Sequence, residues 1–174
     1  MAELLPEDDG VVQPERTGLA RQLDLDRSAA QAYIERYFAR YPGVARYMAS
    51  TRDTAKLHGY VETVFGRRLW LPEIRASQVG RRQGAERAAI NAPMQGTAAD
   101  LIKLAMIAVQ QWIDSEQLRT RLLMQVHDEL VLEVPDDELA RVRVELPPLM
   151  TRVAKLRVPL VVEVGTGANW DEAH

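Results

Sequence analysis

The chain has 174 residues, 47% of them hydrophobic, and no cysteine. It can therefore bury a core as one domain, or one domain with an appendage, and disulfides and thiolate metal sites are excluded. No apolar run reaches the roughly 18–20 residues that span a bilayer, and the acidic start Met1-Ala2-Glu3-Leu4-Leu5-Pro6-Glu7-Asp8-Asp9 has no signal-peptide core, so a cytoplasmic protein away from membranes is expected. The net charge of −3 argues against a general nucleic-acid binder. Its distribution is uneven, however: Arg67, Arg68, Arg75, Arg81, Arg82 and Arg87 are offset only by Glu73 and Glu86 over the same stretch.

Residues 1–16 combine Pro6, Gly10 and Pro14 with several acids and read as a loose arm. Residues 17–58 read as a helical pair. Asp26 is placed to cap a helix over Arg27–Tyr41, in which Ala30, Tyr33, Ile34, Tyr37 and Phe38 recur at helical spacing. Tyr41-Pro42-Gly43 ends it, and a second helix is expected from Val44 to about His58, stopped by Gly59. Residues 59–174 read as one further domain. Tyr60–Val64 and Arg68–Leu71 flank Phe65-Gly66-Arg67 as a short hairpin. A helical stretch follows from about Gly84 to Glu116, interrupted at Pro93 and Gly96. Leu101–Val109 is apolar except for Lys103; Lys103, Gln110 and Asp114 share one stripe, so burial on every other side is expected.

Arg121–Val126 and Leu130–Val134 alternate as strands. Asp136-Asp137-Glu138 then opens a helix at the end where its dipole favours acids. Pro147-Pro148 should kink or end that helix before Met150–Lys155 resumes it. Leu160–Val164 reads as a last strand before Gly165-Thr166-Gly167. The expected fold is α+β: a small antiparallel sheet packed on a long buried helix, with an N-terminal helical pair.

The sharpest signal lies between the two long strands. Pairing Val126 with Leu130 puts Leu122, Met124 and Val126 on the same side as Leu130, Leu132 and Val134, leaving His127-Asp128-Glu129 as a three-residue loop. The loop has no glycine or asparagine, which tight hairpins favour, and it sets two carboxylates side by side. Such a tip suits a hard divalent cation, since Mg²⁺ takes carboxylate oxygens and substrate phosphates. In an arbitrary hairpin the same three residues are more simply a solvated loop.

Several segments together resemble family A DNA polymerases, the bacterial polymerase I type among them. Gln125-Val126-His127-Asp128-Glu129 is similar to that family's second catalytic-acid motif. Glu86-Arg87-Ala88-Ala89-Ile90-Asn91-Ala92-Pro93-Met94-Gln95-Gly96-Thr97-Ala98-Ala99-Asp100 is similar to its palm-helix signature. Tyr41-Pro42-Gly43-Val44, Gly59-Tyr60-Val61-Glu62-Thr63, Gly66-Arg67-Arg68 and Asn169-Trp170-Asp171-Glu172-Ala173-His174 match in order and spacing. The resemblance runs from about Gly18 to His174. It implies a palm-like fold for 59–174 with part of the fingers in 17–58, and template-directed nucleotidyl transfer to a primer 3′-hydroxyl.

The same resemblance makes Asp128 one of two aspartates that hold paired Mg²⁺ ions, with Glu129 an accompanying acid and His127 near the primer terminus. It sets Arg87, Asn91 and Gln95 against the minor groove of primer–template DNA. There, acceptors at equivalent places in A·T and T·A pairs allow a grip that ignores sequence. Their i, i+4, i+8 spacing makes one polar stripe if the helix is unbroken. A reading in which Asn91-Ala92-Pro93 merely caps and restarts a helix is about equal on the residues alone. Arg67, Arg68, Arg81 and Arg82 are expected to meet phosphates.

Two local departures are Gln78, where the family has asparagine, and Pro147-Pro148. The larger one is that the family's Asp-Tyr-Ser-Gln-Ile-Glu motif and its helix for incoming deoxynucleoside triphosphates have no counterpart in these residues. A chain with half of a two-metal site is expected to be inactive alone, with a separate chain carrying the missing half as a candidate partner. A non-catalytic duplex-DNA-binding remnant and a degraded gene product are the alternatives.

Overall fold

The computed structural model describes Asp24 and residues 26–173. The arm expected over 1–16 and the first residues of the 17–58 segment lie outside the described residues. The architecture is α+β, with helices and two separate two-stranded antiparallel sheets. It divides into two compact units between Gln95 and Gly96.

In the first unit, α1 (Arg27–Arg40) starts where Asp26 turns extended (φ −68°, ψ 162°) and its carboxylate accepts from the Ala29 N–H. Hydrogen bonds from the Ser28 hydroxyl and then the Ala29 amide hold the Asp26 carboxyl below its ordinary range. Helical spacing predicted an apolar face here. Of those residues Ala30 alone is fully buried, and Tyr33 and Tyr37 are 52% and 44% exposed. Helix α2 (Pro42–His58) begins two residues before Val44. Pro42 can stand in its first turn because an N–H there has no helical partner to lose. Gly59 ends the helix in the left-handed region at φ 79°, donating its N–H to Ala55 O at 2.8 Å, a conformation that glycine adopts without steric cost. Arg75 satisfies the orphan carbonyls of that last turn, donating to Lys56 O and Leu57 O at 2.6 and 2.8 Å.

Strands β1 (Tyr60–Glu62) and β2 (Arg68–Trp70) pair Glu62 with Arg68, so this hairpin is shorter than its alternation suggested. A 3₁₀ turn (Pro72–Arg75), not anticipated from the sequence, buries Ile74. Ala55, Val61, Leu71, Ile74 and Ala89 close the core of this unit. Beside it, Lys56 Nζ pairs with the nearly buried Glu86 carboxylate at 2.9 Å. A buried charge so paired is costly to leave alone.

Helix α3 (Val79–Ser115) starts five residues before Gly84 and runs through Pro93 and Gly96 without interruption, contrary to expectation. Proline removes the N–H that would have reached the Ala89 carbonyl. The Tyr47 hydroxyl donates to the neighbouring Ile90 O at 2.8 Å. Burial pushes the Tyr47 hydroxyl pKa up.

In the second unit, Ala105, Val109, Trp112 and Ile113 of α3 are buried. Lys103, Gln110 and Asp114 form the expected exposed stripe, joined by Ile107 at 55% exposure. Strands β3 (Arg121–Val126) and β4 (Glu129–Glu133) form the second hairpin. Val109, Trp112 and Ile113 make its core with Val142 and Leu146, and Leu122, Leu130, Leu132 and Val134 pack against that cluster. Full burial of one such aliphatic side chain is worth about 1.5–3 kcal/mol.

Helix α4 (Asp136–Thr151) opens with Asp136, Asp137 and Glu138 as expected, and carries both Pro147 and Pro148 inside it. It neither breaks at them nor resumes to Lys155. The prolines deprive the carbonyls four residues back, at Arg143 and Val144, of their helical donors. Both residues are exposed, Val144 to 73%, so water can satisfy them. Glu138 holds the entry to β3, accepting from Arg119 N and Thr120 N at 2.9 Å and from the Thr120 hydroxyl at 2.7 Å. Chiefly through the Arg119 amide, then the Thr120 hydroxyl, these bonds hold its carboxyl below the ordinary 4.5. Arg141 bridges Glu145 and Glu116 at 2.9 and 2.7 Å. The Trp112 indole donates to Glu145 at 3.0 Å.

The strand expected over Leu160–Val164 is absent among the described residues. Alternation survives without a ladder: Leu160, Val162 and Val164 are half-buried while Val161 and Glu163 are exposed. The short helix α5 (Trp170–Ala173) follows. It lies so close to residues 165–167 that a Cβ on Gly167 would sit 2.6 Å from Glu172 Cβ and 2.8 Å from Ala173 N.

Candidate metal-binding hairpin and nucleic-acid interface

The β3–β4 register differs from the expected one. Val126 pairs with Glu129, Gln125 with Leu130 and Met124 with Val131; a bulge at Leu123 then returns Leu122 to Leu132. The loop is thus two residues, His127 and Asp128, and Glu129 belongs to β4. The bulge also splits the face that alternation assigned to β3. Leu122 packs on the core with Leu130 and Leu132, whereas Met124 is 44% exposed. A single inserted residue reverses which side the following residues present.

A two-residue hairpin loop requires positive φ at its first position. His127 supplies it at φ 51°, in a region that costs most L-residues about 1–2 kcal/mol. The Gln125 side-chain amide donates to the His127 carbonyl and braces the turn. His127 and Asp128 are exposed, and Glu129 is half-buried. Glu129 also accepts a long hydrogen bond, 3.4 Å, from the Trp170 indole. Trp170 is held there by a reciprocal cap. Asn169 Oδ1 accepts from Glu172 N at 3.1 Å, and Glu172 accepts from Asn169 Nδ2 and Ala168 N at 2.9 and 3.1 Å. Sequence reasoning quoted Asn169-Trp170-Asp171-Glu172 without this role; an asparagine followed three residues later by glutamate is the signal for it.

The three tip residues therefore sit together. Asp128 and Glu129 offer the hard oxygen donors that Mg²⁺ takes, so the donor chemistry fits that ion. Among the described residues, no three His, Asp or Glu side chains gather closely enough to complete a metal site.

The nucleic-acid candidates lie in the first unit. Arg87, Asn91 and Gln95 fall on continuous helix and all three are exposed. They form a single polar row with a rise of about 6 Å between members. The opposite side of this helix packs through Ala85, Ala88, Ala89 and Ala92. Arg67 and Arg68 flank the β1–β2 turn and are exposed. Arg68 pairs with Glu62 at 2.6 Å and stacks over the Tyr60 ring at 4.4 Å. In the first turn of α3, Arg81 pairs with Glu73 at 3.5 Å and Arg82 donates to Ala76 O at 2.9 Å. The arginine cluster is thus engaged in part within the protein itself.

The family description "DNA polymerase family A" matches residues 13–172. The chain belongs to DNA polymerase family A. It is 59% identical to DNA polymerase I of Pseudomonas aeruginosa over 157 residues, which is 90% of this chain and 17% of that protein. It is 46% identical to DNA polymerase I of Geobacillus stearothermophilus, again over 90% of this chain and 18% of the relative. Among solved structures, the POL domain of Pol1 from M. smegmatis, in complex with DNA primer-template and dNTP, matches with a TM-score of 0.88 at 45% identity. That match covers 94% of this chain and 29% of the other. The chain thus spans less than a fifth of the length of these curated family A relatives. No helix among the described residues is long and apolar enough to cross a membrane.

Proposed function

We propose that these residues contribute the second metal-binding acid and a duplex-gripping surface to template-directed DNA synthesis. In this reading residues 59–174 form a palm-like domain, 17–58 belong to the fingers, and the protein acts in the cytoplasm on primer–template DNA and deoxynucleoside triphosphates. The observation that carries it is the tip. Asp128 stands exposed in a two-residue turn whose other member, His127, holds a strained φ of 51°. Gln117 has a similar φ of 52°, so it is the strained turn together with its adjacent acids that supports the reading.

Asp128 would ligate Mg²⁺ with Glu129 beside it, and His127 would lie near the primer terminus. When bound, the metals lower the pKa of the primer hydroxyl and offset charge gathering on the transferring phosphoryl group. Arg87, Asn91 and Gln95 would donate to minor-groove acceptors shared by all sequences. Arg67, Arg68, Arg81 and Arg82 would meet backbone phosphates, releasing or sharing their present acceptors.

Asp-Tyr-Ser-Gln-Ile-Glu does not occur among these 174 residues. Two adjacent carboxylates cannot supply two octahedral ions, so residues 1–174 by themselves should not extend a primer. Primer extension with Mg²⁺ tests this. Extension should be absent with these residues alone and should appear when a second polypeptide supplies the first aspartate motif and the nucleotide-binding helix. Robust extension by residues 1–174 alone, or none in the mixture, would overturn the proposal. The exposed Arg87–Asn91–Gln95 row also supports a second reading, a non-catalytic duplex binder. That reading gains if salt-sensitive, sequence-indifferent duplex binding weakens in Arg87→Ala while no mixture extends primers.

A further inference from the structure

A helix shorter than about 12–15 residues is marginal in water by itself, and α5 has only four. It therefore owes its place to what surrounds it. The reciprocal Asn169–Glu172 cap closes its first turn, and Ala173 N donates to Asn169 O at 3.2 Å. Its backbone also rests directly on the preceding turn. A Cβ on Gly165 would overlap the Ala173 carbonyl, and one on Gly167 would crowd Glu172 Cβ and Ala173 N. Neither glycine position admits a side chain without displacing α5.

What this seat presents is Trp170, whose indole Nε1–H donates to Glu129 Oε2 at 3.4 Å across 41 residues of sequence. The bond is at the long end of hydrogen-bonding distance. Pairing with Val126 fixes the Glu129 backbone at the start of β4. A strand ladder does not fix side-chain torsions, so the direction of the carboxylate depends on what its oxygens meet. The kind of donor matters here. Glu133, on the same strand, is met by the Arg121 guanidinium, and Glu138 by that of Arg119, so their charge is offset. An indole N–H donates without charge and cannot accept. It directs one oxygen of Glu129 while cancelling none of the charge that a cation would need.

We infer that residues 165–173 are a positioning device for the hairpin tip. The glycine seat and the cap hold Trp170, and its indole aims the Glu129 carboxylate beside Asp128 for a divalent cation. Trp170 is thus a positioning residue that acts through Glu129. Hydrogen bonds that orient metal-binding groups commonly change metal affinity by about 10–100-fold. The inference rests on the reading of Asp128 and Glu129 as metal-binding acids.

The test is NMR of the whole 174-residue chain labelled isotopically at nitrogen, with Mn²⁺ alone as the probe because it takes the same oxygen donors. In metal-free protein, Glu129→Gln and Glu172→Ala should each shift the Trp170 indole N–H resonance and leave those of Trp70 and Trp112 in place. Mn²⁺ should broaden the Glu129 amide selectively, and Asp128→Ala should abolish that. Trp170→Phe, which keeps an aromatic ring and loses the donor, should weaken the Mn²⁺ affinity so measured roughly tenfold or more. Glu172→Ala, which removes the cap and spares the indole, should weaken it in the same direction. In a Glu129→Gln background, Trp170→Phe should change the affinity by less than about twofold, because the group it acts through is gone. In the two-polypeptide primer-extension mixture, Trp170→Phe should lower kcat about tenfold and leave the nucleotide KM near that of the parent. The inference is overturned if the parent shows no selective broadening or if the Trp170 resonance ignores Glu129→Gln. It is equally overturned if Trp170→Phe binds Mn²⁺ like the parent, or weakens binding alike in both backgrounds. If Mn²⁺ binding depends on Trp170 through Glu129 while no mixture extends primers, the polymerase reading fails and this inference stands. If the mixture extends primers and Trp170→Phe changes neither Mn²⁺ binding nor kcat, that reading stands and this inference fails.

Discussion

The β1–β2 hairpin turns through residues 63–67 and puts its positive φ, 83°, on Gly66. Thr63 organises that turn, its hydroxyl oxygen accepting from Phe65 N and Arg67 N at 3.3 Å each. The β3–β4 hairpin turns through two residues and puts a φ of 51° on His127. In the first, length, glycine and a local side chain all agree with the turn. In the second, the backbone demands what a histidine supplies only at a cost, and the next two residues are acids. Agreement across levels is what stability alone asks of a turn, and local conflict is where a role for the side chains is to be tested.

That contrast can be broken by experiment. The largest effect expected is at Asp128. In the two-polypeptide primer-extension mixture, Asp128→Ala should lower the rate roughly a thousandfold, the scale of several kcal/mol of lost metal stabilisation. Its melting temperature should stay within about 1 °C of the parent, because surface changes away from packing usually alter stability little. Comparable extension by parent and variant would remove the metal role.

Next come the two positive-φ positions. Gly66→Ala should destabilise by about 1–2 kcal/mol, because a Cβ is strained there. His127→Gly should be neutral to stabilising by up to about 1 kcal/mol, the relieved strain being partly offset by glycine's entropy. Urea denaturation measures both, and equal losses at the two sites would erase the distinction between the turns.

The smallest effect concerns pH. Glu138, at the entry to β3, has a folded pKa below 4.5. Its stabilising contribution is complete above the unfolded value and is lost as pH falls through the folded one. Stability should therefore decline from about pH 4.5 downward, and Glu138→Gln should flatten that decline while lowering stability at neutral pH. An unchanged acid limb in thermal melts would place the acid sensitivity elsewhere.

Much of the chain was legible because local chemistry and packing agree. Asp26 and Gly59 delimit α1 and α2 through cap bonds that their residue types announce. The alternation of Leu130–Val134 gives β4 and its core face to within a residue. What could not be read depends on partners remote in sequence or on backbone offsets. Pro93 lies inside α3, next to a turn whose Ile90 carbonyl is reached by the Tyr47 hydroxyl 43 residues away. Pro147 and Pro148 fall in α4 four residues after Arg143 and Val144, both exposed, so water can serve the carbonyls they orphan. The two-residue loop sets Met124 opposite Val131 and so outward, and the bulge at Leu123, which leaves no mark in an apolar run, brings Leu122 back to the core face. The Asp128 hairpin was visible as an acidic pair between strands, but its two-residue geometry depended on the conformation of His127. Exposure separated the tyrosines of α1 from core residues, since spacing by itself assigns both to one face.

The unladdered run Leu160–Val164 bears on how the chain behaves in concentrated solution. It alternates like a strand, with Val161 79% exposed, and a segment with that pattern left out of a sheet can pair with another copy. Two neighbours oppose this. Pro159 cannot donate an amide hydrogen bond, and Glu163 adds charge on the exposed side, the devices by which sequences keep adhesive segments from seeding aggregates. Colloidal stability is therefore expected to depend on Pro159 and Glu163.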